Sequence, residues 1–159
     1  MKLREIWTDR SKGDDLRGFW LLYRLRSRAK NRLWRDLLTY LANRSACRHG
    51  GYVGPGAVIR GIPVLPHGLH GVYISRYAVI GPGCRIYQNV TIGEVEHHAP
   101  VIEPGCLIGA GAVLVGGIRV GEGARIGAGA VVRADVPPHS TVLPAPPCIL
   151  ERSVPDVSQ

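Results

Sequence analysis

Four of the six histidines fall in two short segments: His67 and His70 lie in Leu65-Pro66-His67-Gly68-Leu69-His70, and His97 and His98 lie in Glu94-Val95-Glu96-His97-His98-Ala99-Pro100. Imidazole changes charge near neutrality, so such residues can take a proton from a hydroxyl or ligate a metal. The cysteines, Cys47, Cys84, Cys106 and Cys148, have neither C-x-x-C nor zinc-site spacing. They read as packing residues of a reducing compartment, where disulfides are disfavoured.

What positions the histidines is a repeat. From Val53 onward a branched apolar residue returns every six positions: Val53, Ile59 and Leu65, then Ile74, Ile80, Ile86 and Ile92, then Ile102, Ile108, Leu114, Val120, Ile126 and Val132. Four places after most of them stands a small or modest residue, among them Ala57, Ala78, Cys84, Val90, Cys106, Ala112, Ala124 and Ala130. Glycine commonly follows the branched residue directly, as in Ile80-Gly81 and Ile108-Gly109, and is expected to permit the turn. Each unit supplies a short strand and a corner, and three units close one triangular turn. Stacked turns bury a continuous aliphatic ladder. This predicts a mainly β chain, a left-handed parallel β-helix of hexapeptide repeats, with Cys84 and Cys106 inside the wall.

The frame fails twice, between Leu65 and Ile74 and between Ile92 and Ile102. Extra residues must leave the wall as loops, and loops on a rigid scaffold are where binding and catalysis concentrate. Both failures hold histidines.

Ahead of the repeat the character is different. Residues 1–50 carry 13 Lys/Arg against 5 Asp/Glu, while residues 51–159 carry 7 of each, so the net charge of +8 belongs to the first third. Leu22, Leu25, Ala29, Leu33, Leu37 and Leu41 recur at helical steps with arginines between them, which predicts an amphipathic helix with room for a break between Ser27 and Asn31. It either covers an open end of the coil or meets an anionic membrane surface or glycan. The basic segment lacks a recognised motif and stacking aromatics, so nucleic acid is not the expected partner. The first residues lack an apolar signal-peptide core, and the run from Phe19 to Tyr23 is too short to span a bilayer, so the expectation is a cytoplasmic protein. The expected organisation is a basic helical segment at 1–50, the coil at 51–137 and a C-terminal extension at 138–159.

Residues 52–150 resemble the hexapeptide-repeat acyltransferases, most closely the serine O-acetyltransferases and related polysaccharide O-acetyltransferases. The resemblance is carried by Leu65-Pro66-His67-Gly68, Ile86-Tyr87-Gln88-Asn89-Val90-Thr91-Ile92-Gly93, Ile108-Gly109-Ala110-Gly111-Ala112, and Ile126-Gly127-Ala128-Gly129-Ala130-Val131-Val132 followed by Val136-Pro137-Pro138-His139. It implies an acetyl-CoA-dependent O-acetyltransferase in which His67 is the general base. His70, His97 and His98 are then candidates for acceptor contact. A pantetheine arm would lie against Ala110, Gly111 and Ala128, with Arg133 and Arg152 as partners for the phosphates. The resemblance also implies a homotrimer with sites between subunits, and no metal.

Departures from the pattern bear on the acceptor. Tyr52 and Pro66 stand where the serine enzymes carry aspartates beside the histidine, while His98 and Ala99 replace an arginine and a histidine. Serine and a sugar or cell-envelope polysaccharide therefore both stand as acceptors, beside a non-catalytic trimeric scaffold. A zinc site of the β-helical carbonic anhydrase kind would need His67, His98 and His139 to converge from neighbouring subunits.

Overall fold

The computed structural model describes residues 15–146, so Arg152, Cys148 and the ends of the two flanking segments lie outside the described residues. Two helices, α1 (Arg17–Arg28) and α2 (Arg32–Arg48), precede thirteen strands of two or three residues each.

The strands form three parallel sheets, the faces of a triangular solenoid. The first face stacks β1 (Tyr52–Val53), β3 (Tyr73–Ile74), β6 (Thr91–Gly93), β9 (Val113–Val115) and β12 (Val131–Val132). The second stacks β2 (Val58–Ile59), β4 (Val79–Ile80), β7 (Val101–Ile102) and β10 (Arg119–Val120). The third stacks β5 (Arg85–Ile86), β8 (Leu107–Ile108), β11 (Arg125–Ile126) and β13 (Thr141–Val142), with Val64 bridged to Arg85 ahead of it. The pairing puts ladder residue on ladder residue, Ile74 on Ile92, Ile80 on Ile102 and Ile86 on Ile108.

The six-residue frame thus becomes the core, with Ile80, Ile86, Ile92, Ile108, Leu114 and Ile126 wholly shielded. The corner positions are equally closed, Ala78, Cys84, Cys106, Ala112 and Ala124 each having no exposure. Near its end the chain takes a shortcut. Val136 follows Val132 by four positions yet bridges Val120, and β13 continues the third face past residue 137, where the sequence placed the end of the coil.

The glycines divide into two kinds, which corrects the expectation that the one after the ladder residue makes the turn. Gly109 lies outside the left-handed region; a Cβ there would come within 2.6 Å of the Ala128 backbone nitrogen, so close stacking of coils excludes a side chain. The turn itself is made two residues later, by Gly111 at φ 69°, the third position of a type II turn closed by the Ala112 N–H on the Gly109 carbonyl at 3.2 Å.

The helical segment breaks where the sequence left room. Asn31 caps α2, its Oδ1 accepting from the Leu33 N–H at 2.8 Å. The break changes which residues face the coil. Phe19 and Trp20 of α1 and Ala42 and Ala46 of α2 are buried, whereas Leu25, Leu33, Leu37 and Leu41 are exposed. The leucine stripe therefore does not cover the end of the solenoid as one continuous helix would. Helix α2 instead docks by its alanine side, and the Tyr23 hydroxyl donates to the Ala57 carbonyl at 2.5 Å to tie α1 to the first coil. No helix among the described residues is long and apolar enough to cross a membrane.

Candidate active site

The two frame failures leave the solenoid at different edges. The first lies between Val64 of the third face and β3 of the first, and the second lies between β6 of the first face and β7 of the second.

The first interruption is a compact turn. Gly68 and Gly71 adopt left-handed conformations at φ 61° and 67°, while Leu69 and Val72 are buried and anchor the segment to the apolar interior. His67 is left exposed on its outside, with its ring 6.1 Å from that of Tyr87. Below it the same edge is built from the turns of successive coils, joined by backbone hydrogen bonds. Asn89 N donates to the His70 carbonyl at 2.9 Å, Gly111 N to Gln88 O at 3.0 Å, and Gly129 N to Ala110 O at 2.9 Å. His67, Tyr87, Ala110, Gly111 and Ala128 consequently share one edge. At about 4.8 Å per coil, Ala128 stands roughly 14 Å from the level of His67. The buried amide oxygen of Gln88, on the same edge, has no hydrogen-bond partner. A buried acceptor left unpaired is costly, and an arriving N–H donor would satisfy it.

The second interruption is a tight hairpin. Val95 and His98 exchange both backbone hydrogen bonds, at 2.8 and 2.9 Å, around Glu96 and His97 at φ 49° and 67°. Two consecutive left-handed residues make a type I′ turn, which ordinarily takes Asn-Gly. Side chains as large as these are strained there, and such strain concentrates at functional sites. The His97 ring meets Tyr77 edge-on at 5.4 Å, and the His98 Nδ1 turns back to the Glu96 carbonyl at 2.9 Å. At the base of the hairpin, the buried Ser75 hydroxyl donates to the Glu94 carboxylate and accepts from the Tyr77 N–H. Beside it opens a cleft of about 450 Å³ lined by Tyr77, His97, His98, Arg119 and Asp135 among others. Its polar groups are held in place. Arg119 pairs with Glu103 at 2.6 Å, and its backbone N–H reaches Asp135 at 2.7 Å.

The structure thus gathers His67 with Ala110, Gly111 and Ala128 on one edge, and His97 with His98 on another. Arg133 follows β12 at the second of these edges, away from Ala128. His70 adjoins Gly50 above the first coil. His139 packs against Gly123, and among the described residues no three His, Cys, Asp or Glu side chains are close enough to share a metal ion. Tyr52, at one of the absent aspartate positions, stacks on Tyr73 at 5.0 Å. Cys84 and Cys106 neighbour each other in the buried wall; the Cys84 contact, reinforced by burial, pushes the Cys106 thiol well above its ordinary value. Neither is placed to act as a nucleophile.

Sequence reasoning missed Tyr87, Gln88, Ser75, Tyr77, Arg119 and Asp135. Tyr87 and Gln88 lie in the Ile86–Gly93 segment that carries the resemblance and held a signal, since a polar edge residue one coil below His67 must face the same side. The others meet the hairpin only through lateral stacking.

Comparison with known proteins agrees with this architecture. The family described as bacterial transferase hexapeptide (six repeats) matches residues 99–134. A serine acetyltransferase of Salmonella typhimurium is 38% identical over 139 residues, covering 82% of this chain and 50% of the relative. One from Synechococcus elongatus is 38% identical over 117 residues, covering 71% and 48%. Among solved structures, the Vibrio cholerae serine acetyltransferase superposes with a TM-score of 0.70 at 36% identity, over 79% of this chain and 50% of that one. The Neisseria gonorrhoeae serine acetyltransferase in complex with serine gives 0.68 at 35%, over 80% and 54%. The chain spans about half the length of the curated relatives it matches.

Proposed function

We propose that the chain, which carries the transferase hexapeptide repeat over residues 99–134 and is 38% identical to a serine acetyltransferase across half of that protein's length, is an acetyl-CoA-dependent O-acetyltransferase using His67 as general base. The observation that carries the reading is the shared edge, on which an exposed histidine stands above a column of small residues. Ala110, Gly111 and Ala128 leave room for a pantetheine arm to lie along the backbone, and the unpaired Gln88 oxygen offers an acceptor to one of its amide N–H groups. The thioester would then be delivered to His67. Arg133, on the hairpin edge, would reach the phosphates from the neighbouring copy, and Arg152 is the other proposed partner.

In the reaction, His67 takes the proton of the acceptor hydroxyl as its oxygen attacks the thioester carbonyl. A backbone N–H stabilises the tetrahedral oxyanion. Collapse forms the ester C–O bond and breaks the C–S bond, and the proton passes from His67 to the departing thiolate. No metal takes part.

A homotrimer completes the site. The outer faces expose Val58, Val64, Tyr73 and Val131, an apolar surface that neighbouring copies would cover. Since the hairpin and His67 leave different edges, a groove between copies can bring the hairpin of one to the His67 edge of the next, where His97, His98 and His70 would contact the acceptor. The similarity to serine acetyltransferases points to a serine-type acceptor. The Tyr77–His97 ring pair and the lack of carboxylates at Tyr52 and Pro66 favour a sugar hydroxyl, in a protein working in the cytoplasm where acetyl-CoA is made. Release of free CoA with a panel of amino acids and saccharides tests the proposal, with mass spectrometry locating the acetyl group. An acetylated hydroxyl supports it. A chain that neither binds acetyl-CoA nor acetylates any panel member would instead be a trimeric scaffold.

A further inference from the structure

Among the described residues, nothing covers the outward side of α2. On a helix turning 100° per residue, Leu33, Trp34, Leu37, Tyr40 and Leu41 occupy an arc of about 120°. All are exposed, Leu33 at 79% and Trp34 at 62%. The patch continues onto α1, because Leu25, Ala29 and Trp34 line one shallow groove and Leu33, Trp34 and Leu37 line another. Around it Arg24, Arg28, Lys30, Arg32 and Arg35 reach solvent.

The charge selects the occupant. Residues 15–50 carry nine Lys/Arg against two Asp/Glu. Two copies meeting through this patch would oppose the same cations. An acidic glycan would match the charge but offers no apolar phase for Leu33 and Trp34. An anionic bilayer supplies both, with lipid phosphates for the guanidinium groups and an acyl boundary for the leucines and the indole. We propose that the α1–α2 hairpin is a peripheral docking site for anionic lipid, with Leu33, Trp34 and Leu37 seated at the headgroup boundary. The hairpin is tied to the first coil by Tyr23 and Ala57, the coil from which His67 projects, so docking holds that end of the solenoid at the bilayer. The inference depends on this surface alone and stands or falls separately from acetyl transfer.

Cosedimentation of the full chain with vesicles tests it. The chain is expected to bind mixed phosphatidylglycerol and phosphatidylcholine vesicles, to bind pure phosphatidylcholine far more weakly, and to be released by salt. Trp34→Ser with Leu37→Ser, checked for a retained circular dichroism spectrum, lowers binding by about tenfold or more. Each of Arg28→Gln and Arg32→Gln lowers it about fivefold. Absence of binding to the mixed vesicles at low salt overturns the proposal, as does equal binding to pure phosphatidylcholine or undiminished binding by the Trp34 variant. A fall in solution mass on substituting Trp34 and Leu37 also overturns it, assigning the patch to a second copy.

Discussion

Glu96 is the residue at which the hairpin is most open to test. It stands at φ 49° and His97 at φ 67°, the two central positions of a type I′ turn. A left-handed residue with a full side chain costs roughly 1–2 kcal/mol, and asparagine is among the few that relieve part of this through local hydrogen bonding. Glu96 is exposed, so Glu96→Asn removes strain without emptying any packed space, a gain of about 0.5–1 kcal/mol. For a chain of this size that raises the thermal midpoint by about 1–4 °C. His97→Gly relieves similar strain but forfeits the edge-on contact with Tyr77, worth about 0.5–1.5 kcal/mol, so its midpoint stays near that of the parent. The two variants separate strain from function. If the His97 ring meets the acceptor, Glu96→Asn keeps turnover while His97→Gly loses it. Differential scanning calorimetry and CoA release on both variants provide the readouts. A fall in midpoint for Glu96→Asn would refute the strained-turn reasoning.

Other substitutions probe the frame and its supports. Ile108→Ala, at a wholly shielded rung, should cost about 2–5 kcal/mol in denaturant unfolding. Tyr23→Phe should lose about 1 kcal/mol below pH 10 through its bond to the Ala57 carbonyl. Burial holds the Tyr23 phenol above its ordinary value of 10.0, so the folded chain keeps the proton more tightly than the unfolded one. The wild type therefore loses stability as pH rises beyond 10, more steeply than Tyr23→Phe, and urea titrations at pH 9 and 11 compare the two slopes. Ser75→Ala deletes the donor to Glu94 and should raise the acceptor KM more than it lowers kcat, as steady-state kinetics would register. With a thiol reagent, Cys47 should react in the folded protein, whereas Cys84 and Cys106 should wait for denaturant; rapid labelling of Cys84 would contradict its place in the wall.

The coil was legible because its period is its mechanism. A branched residue every sixth position means an inward residue on every face, and where Leu65-to-Ile74 and Ile92-to-Ile102 broke that count the chain had to leave the wall. The break before Asn31 was equally readable from the interruption of the helical pattern. The facing of α2 was not. Leu33, Leu37 and Leu41 look like a core stripe at helical spacing, and only the redirection at Asn31 turns Ala42 and Ala46 inward instead. The hairpin was hidden for a different reason. Its left-handed positions hold Glu96 and His97 in place of Asn-Gly, so the turn comes from what surrounds it rather than from local preference. Tyr87 beneath His67, and Arg119 beside Asp135, are neighbours made by stacking one coil on the next. His67, Ala110, Gly111 and Ala128 were named from the sequence, but their alignment on one edge required the register.

The central claim is that a hydroxyl gives up its proton to His67 at the head of this edge. The most direct measurement is acceptor-dependent CoA release by His67→Ala, with acetyl-CoA affinity determined in parallel by calorimetry. Loss of a general base should lower turnover by roughly 100-fold or more while leaving acetyl-CoA binding to the column of Ala110, Gly111 and Ala128 intact. Turnover undiminished in His67→Ala would contradict the account and move the catalytic proton elsewhere.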